Sequence, residues 1–158
     1  MGSRSTQIGQ QRRPTKALEQ EAFLAVVRTA AALTDAIEQV LRPDGLTMAQ
    51  YNVLRILRGA GPGGLCRNEV RDRMLTRMPD MTRLLDRMED AGLVVRARST
   101  EDRRLVTTRI TPAGADVLER LAEPVAAEHR LRFEALTATE TRALVALLDR
   151  VRGALAGA

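Results

Sequence analysis

This chain has little of what most catalytic and metal-binding sites are made from. Its 158 residues include one cysteine, Cys66, one histidine, His129, and three aromatic residues, Phe23, Tyr51 and Phe133. A lone cysteine excludes an intramolecular disulfide, and one Cys with one His is too few for a usual zinc site. A Ser-His-Asp relay would have to run through His129 alone, in a charged helical stretch beside Glu128, Arg130 and Arg132. No catalytic residue, metal or cofactor is therefore expected. There is also no apolar run of about 18 uncharged residues, the length a membrane-crossing helix needs. The first residues, Met-Gly-Ser-Arg-Ser-Thr-Gln-Ile, lack the apolar centre of a secretory signal. A cytoplasmic protein without a membrane partner is expected. The glycine-rich stretch Gly59-Ala60-Gly61-Pro62-Gly63-Gly64 lacks the Lys-Ser/Thr of a phosphate-binding loop and reads as a connection. No internal repeat is visible.

Lysine is almost missing as well, with Lys16 alone against 24 arginines. The positive charge is unevenly placed. Residues 1–16 carry four cationic side chains and no acid, and residues 65–111 carry eleven Arg against eight Asp or Glu, whereas residues 17–64 and 112–158 are each one unit negative. An excess concentrated in a tail and in one internal segment suits a polyanionic partner, because neutralising phosphates releases counterions.

Hydropathy patterning is mostly helical. Residues 1–14 lack any apolar period and read as a disordered basic arm. Thr15 caps a long first helix, predicted to about residue 42, whose Leu18, Ala22, Val26, Ala30, Leu33, Ile37 and Leu41 share one face. Thr47 and Gln50 form a capping-box pattern before a second helix, 48–58. Leu65 is placed in one short strand, and a third helix is predicted over 67–75. Pro79 suits the first position of a fourth helix, 79–91, with Met81, Leu84, Leu85 and Met88 inward and Gly92 as its stop. Thr111-Pro112 opens a helix to about residue 134 that Pro124 should bend or split, and Thr137–Glu140 is the capping box of a last helix ending near 156.

Between these helices, β-prone runs at 93–97 and 105–110 flank a polar tip with Asp102, Arg103 and Arg104. A helix running into a hairpin with an arginine-bearing tip is the layout of a winged helix-turn-helix. The fold class expected is mainly α with a small β-wing, the core spanning about 47–111. The three outer helices each carry an apolar stripe too extensive for that core to cover. A two-fold homodimer, in which helices at about 15–42 and 112–156 dimerise, is the economical solution.

The helix can enter the major groove while the tip reaches the neighbouring minor groove. On the helix and its preceding turn, Arg77, Thr82, Arg83 and Arg87 are the DNA-binding candidates, since Arg pairs bidentately with guanine and Thr can touch a thymine methyl or a phosphate. Asp80 and Asp86 would repel phosphate and are expected to orient neighbouring arginines. At the tip, Arg104 is the minor-groove candidate and Arg103 a phosphate contact, with Asp102 as a brace. Arg96, Arg98 and Arg109 on the strands are placed along the backbone track. Cys66, at a helix start beside Arg67, is a candidate redox-sensing thiol.

These residues resemble those of the MarR family of bacterial transcription regulators from about Ala17 to Leu155. The resemblance is carried by Met81-Thr82-Arg83-Leu84-Leu85-Asp86-Arg87-Met88-Glu89-Asp90-Ala91-Gly92-Leu93-Val94, by Glu101-Asp102-Arg103-Arg104 and by Ile110-Thr111-Pro112-Ala113-Gly114. It implies a homodimer on double-stranded DNA with a pseudo-palindromic operator, usually a repressor, often released by a small aromatic or phenolic effector or by cysteine oxidation. It also implies an effector pocket between the dimerisation helices and the winged core, which Phe23, Tyr51, Arg55 and Phe133 are positioned to approach. Thr76-Arg77-Met78-Pro79-Asp80 departs from the small hydroxyl residues common before the recognition helix, and Cys66 replaces the usual Ser or Thr cap. Two alternatives stay open: a winged-helix protein–protein interaction module, and a regulator triggered through Cys66.

Overall fold

The computed structural model describes residues 18–98 and 106–156. Six helices and three short strands follow in the order α1 (Leu18–Leu41), α2 (Met48–Ala60), β1 (Leu65–Cys66), α3 (Arg67–Asp72), α4 (Met81–Asp90), β2 (Val94–Arg98), β3 (Val106–Ile110), α5 (Pro112–Phe133) and α6 (Ala138–Ala156). A 3-10 turn, Arg42–Asp44, ends α1. The described chain forms two compact units that divide inside α1, between Leu33 and Thr34. In the first unit Leu18, Phe23, Val26 and Val27 are exposed. No described helix is long and apolar enough to cross a membrane.

The second unit holds the core. Ile37 and Leu41 of α1 meet Tyr51, Val53, Leu54 and Leu57 of α2, and Val70 of α3 joins them. Met81, Leu84, Leu85 and Met88 of α4 and Leu118, Leu121 and Val125 of α5 complete the cluster. The i, i+3, i+4, i+7 spacing on α4 is what turns these four side chains to one side and leaves the other to solvent. The strands pair antiparallel in the order β1-β3-β2, with Leu65 opposite Thr108 and Arg96 opposite Thr108 on the other edge.

The caps form as their sequence spacing predicts. The Thr47 amide donates to Gln50 Oε1 at 2.9 Å and the Gln50 amide to Thr47 Oγ1 at 3.3 Å. Gly92 takes a left-handed conformation, φ 72°, which lets its own amide reach Glu89 O and the Leu93 amide reach Met88 O. The Thr111 hydroxyl accepts from Gly114 N and donates to Gly92 O at 2.6 Å, so one side chain joins the α5 start to the α4 end. Gly114 has no room for a side chain: a Cβ would lie 2.3 Å from Leu93 O.

Several boundaries differ from the sequence reading. The third helix stops at Asp72 rather than 75, because the Leu75 amide turns to the buried Asn52 Oδ1 of α2, 2.9 Å away. The fourth begins at Met81 rather than Pro79, because Asp80 caps it, accepting from Arg83 N at 3.0 Å. A carboxylate that satisfies a free amide outcompetes a proline that merely tolerates lacking one. In α5, Pro124 does not split the helix. The ring removes one intrahelical bond, but buried Leu121 and Val125 on either side hold the helix to the core.

Candidate nucleic-acid interface

The solvent side of α4 is an ordered array of charge. Asp80 caps the helix and lies 3.9 Å from Arg83 Nε, so it orients the residue its amide bond already holds. Asp86 and Glu89 both face Arg96 of β2, whose Nη2 is 2.7 Å from Asp86 Oδ1 and 2.6 Å from Glu89 Oε2. The Arg96 amide also donates to Glu89 Oε1 at 2.9 Å. The guanidinium contact holds the Glu89 carboxyl below its ordinary range, and Glu89 in turn makes Arg96 harder to deprotonate. Arg96 thus fastens the first wing strand to the recognition helix and does not lie free along a backbone track.

With these acids engaged, Arg83 and Arg87 remain exposed on α4, and Arg77 is exposed in the turn before it. Arg77 and Arg87 have no ion pair among the described residues. Arg83 and Arg87 also border a shallow apolar cleft of about 260 Å³ with Met78, Pro79 and Leu84. An open cleft of about 680 Å³ follows the turn from Arg71 to Pro79 and includes exposed Leu75. Thr82 is exposed too, but its hydroxyl already accepts from Arg67 Nη1 of α3 at 3.1 Å. Arg98 is exposed on β2, whereas Arg109 is half-buried, its Nε without a hydrogen-bond partner. Asp102, Arg103 and Arg104, the tip candidates, lie outside the described residues.

Of the residues proposed for the effector, Tyr51 and Arg55 lie together. Tyr51 is buried in the core, and the Arg55 guanidinium sits over its ring, 6.0 Å from the centroid. Phe133 is half-buried on α5, and Phe23 is exposed in the first unit. Cys66 caps α3 in the role usually filled by Ser or Thr. Its amide donates to Glu69 Oε2 at 2.7 Å, and this bond, with one from the Cys66 side chain, holds the Glu69 carboxyl below its ordinary range. His129 is exposed on α5, and no group of three or more His, Cys, Asp or Glu is arranged to hold a metal among the described residues.

Two residues of this region escaped the sequence reading, Arg67 and Asn52. Neither carries a local signal, since the Arg67 partner lies 15 residues away and the Asn52 partner 23.

Comparison with known proteins agrees with this architecture. A family model described as MarR family matches residues 44–105, from the end of the 3-10 turn past β2 and short of β3. A MarR transcription factor from Planctomyces limnophilus is similar in structure, with 37% identity, coverage of 87% of this chain and 98% of that one, and a TM-score of 0.65. The transcriptional repressor IacR of Pseudomonas putida is 28% identical over 129 residues, 82% of this chain and 76% of the repressor. A variant of MarR from E. coli complexed with operator DNA is 26% identical, covering 87% of this chain and 99% of that one, with a TM-score of 0.75. The helical core, the three-stranded wing sheet and the shared sequence together make this chain a member of the MarR family of winged helix-turn-helix transcriptional regulators.

Proposed function

We propose that this regulator binds a specific, pseudo-palindromic operator as a homodimer, represses transcription there, and leaves the DNA when a small aromatic or phenolic effector binds. The observation that carries the DNA reading is the partition of charge on α4. Asp86 and Glu89 are occupied by Arg96 and Asp80 by the helix cap, while Arg83 and Arg87 are exposed to solvent and Arg77 stands at the helix entrance. In this reading Arg77, Arg83 and Arg87 contact the major groove and its phosphates. Arg103 and Arg104, braced by Asp102, contact the minor groove and its rim. The operator complex of the related E. coli MarR variant supports DNA binding as such.

The dimer is supported by the second unit's own surface. Leu147, Val151 and Leu155 share one face of α6 and are all more than half exposed, an apolar stripe that a second copy would cover. The effector reading draws on Tyr51 and Arg55, an aromatic ring with a guanidinium beside it, and assigns Phe133 to the same ligand. Oxidation of Cys66 is the alternative trigger. Peroxide treatment of the parent and of Cys66→Ser separates the two, because equal loss of DNA binding in both removes Cys66 from consideration.

The test of function is fluorescence anisotropy against the duplex upstream of its own gene, with unrelated duplex as competitor. A preference of more than about a hundredfold is expected, with affinity falling by roughly 10³–10⁵ between 50 and 200 mM salt if about 6–10 phosphates are contacted. Arg104→Ala should weaken this binding strongly without changing the fold. Weak binding that ignores sequence and vanishes with salt, persisting after random-duplex selection, would point to a protein–protein interaction module instead.

A further inference from the structure

The arginines around the recognition helix that have a side-chain partner are held in two different ways. Arg71 pairs with Asp72, Arg83 with Asp80, and Arg96 with Asp86 and Glu89, so in each case an acid both orients the guanidinium and offsets its charge. Arg67 differs. It is the first residue of α3, exposed, and has no ion pair among the described residues. Its one hydrogen bond there goes from Nη1 to the hydroxyl of Thr82, in the first turn of α4. A neutral acceptor fixes a cation in place without cancelling it. The fork keeps N–H groups that Thr82 does not use, and the Thr82 hydroxyl keeps its own proton to donate.

We infer that Arg67 contacts a DNA backbone phosphate beside the recognition helix, and that Thr82 is the positioning residue that aims it. The inference rests on the DNA-binding reading above and adds to it a contact from α3. Thr82 then serves the interface through Arg67, and its hydroxyl is not the group that reads a base. A phosphate contact carries no sequence information, so it should strengthen binding to all duplexes alike. Because the bond joins the first turns of α3 and α4, it also ties the cation's position to the seating of the reading helix.

The experiment uses the full chain and two duplexes, its operator obtained by random-duplex selection and an unrelated sequence, each titrated across salt concentrations. Arg67→Ala should weaken both by a similar factor, leave their ratio unchanged, and reduce the salt slope by about one per protomer. Thr82→Val should act in the same direction, and the double variant should bind no more weakly than Arg67→Ala alone. Thr82→Ser, which keeps the acceptor, should bind like the parent. Arg67→Lys retains the charge and should keep the slope, which serves if the alanine variant folds poorly. An unchanged slope in Arg67→Ala, or strictly additive effects of the two substitutions, overturns the inference while the parent's operator preference leaves the DNA reading intact. A parent that retains no duplex in the selection overturns both.

Discussion

The Arg96 guanidinium lies on the Glu89 carboxylate, with Nε at 2.8 Å and Nη2 at 2.6 Å from the same oxygen, Oε2. Asp86 completes the site from one turn earlier on α4. The contact spans only seven residues, yet it joins two separate elements, the helix α4 and the wing strand β2. Both partners are about two-thirds withdrawn from solvent, so salt screens the contact less than it would a fully exposed pair.

A pH dependence follows from this contact. The Glu89 carboxyl is held below its ordinary range in the folded state, so its stabilising effect is complete above that range and is lost as pH falls through the depressed folded value. Glu69 and Glu140 are depressed as well, by the amides of Cys66 and Thr137. The melting temperature should therefore decline on the acid side of about pH 4.3, where unperturbed glutamates protonate. Glu89→Gln should melt a few degrees below the parent at pH 7 and converge with it in acid. Parallel melting curves across pH for the two proteins would falsify the coupling.

Gly114 is expected to tolerate no side chain. A Cβ there meets the Leu93 carbonyl at 2.3 Å and Leu54 Cδ2 at 3.2 Å, and the first of these is backbone that cannot swing aside. Gly114→Ala should cost about 1–3 kcal/mol in urea unfolding, the usual range for overpacking. Because Gly114 touches the carbonyl just after α4, operator affinity should fall with stability.

Asn52 should matter more than its place on α2 suggests. Its buried Oδ1 is the partner of the Leu75 amide, in the turn that carries Arg77. Removing the acceptor in Asn52→Ala should cost about 0.5–1.5 kcal/mol, the net worth of the hydrogen bond that the Leu75 amide loses. Hydrogen exchange at Leu75 is the direct measurement, and it should accelerate in the variant well beyond exchange in α5. Uniform acceleration would mean only a general loss of stability.

The apolar stripe of α6 should govern assembly. Leu147 is 56% and Val151 61% exposed in the single chain. Replacing both with glutamate places like charges on a face that a second copy would have to bury, so sedimentation should report a monomer. Operator affinity should drop by orders of magnitude, because one half-site loses its partner. A variant that still sediments as a dimer would assign the interface to another face.

Much of this architecture was legible in the linear chain. Thr47 with Gln50, Thr111 with Gly114 and Thr137 with Glu140 are caps closed over three residues, and Met81, Leu84, Leu85 and Met88 mark a buried face by spacing alone. Interactions of that range depend on backbone geometry that any helix shares, so residue type and spacing determine them. Even there, local rules competed, and Asp80 displaced Pro79 as the start of α4.

What the chain alone determined was therefore the set of elements, their capped ends and the concentration of arginine in one segment. Tertiary structure decided which of those arginines are free. Arg96 is drawn onto Glu89, Arg67 onto Thr82, and the turn before Arg77 onto Asn52. Along the sequence these arginines are equivalent cations. Whether a given one meets an acid, a hydroxyl or solvent depends on how α2, α3, α4 and β2 pack, because hydrogen bonds act over about 3 Å and charge pairs in salt water are screened beyond about 10 Å.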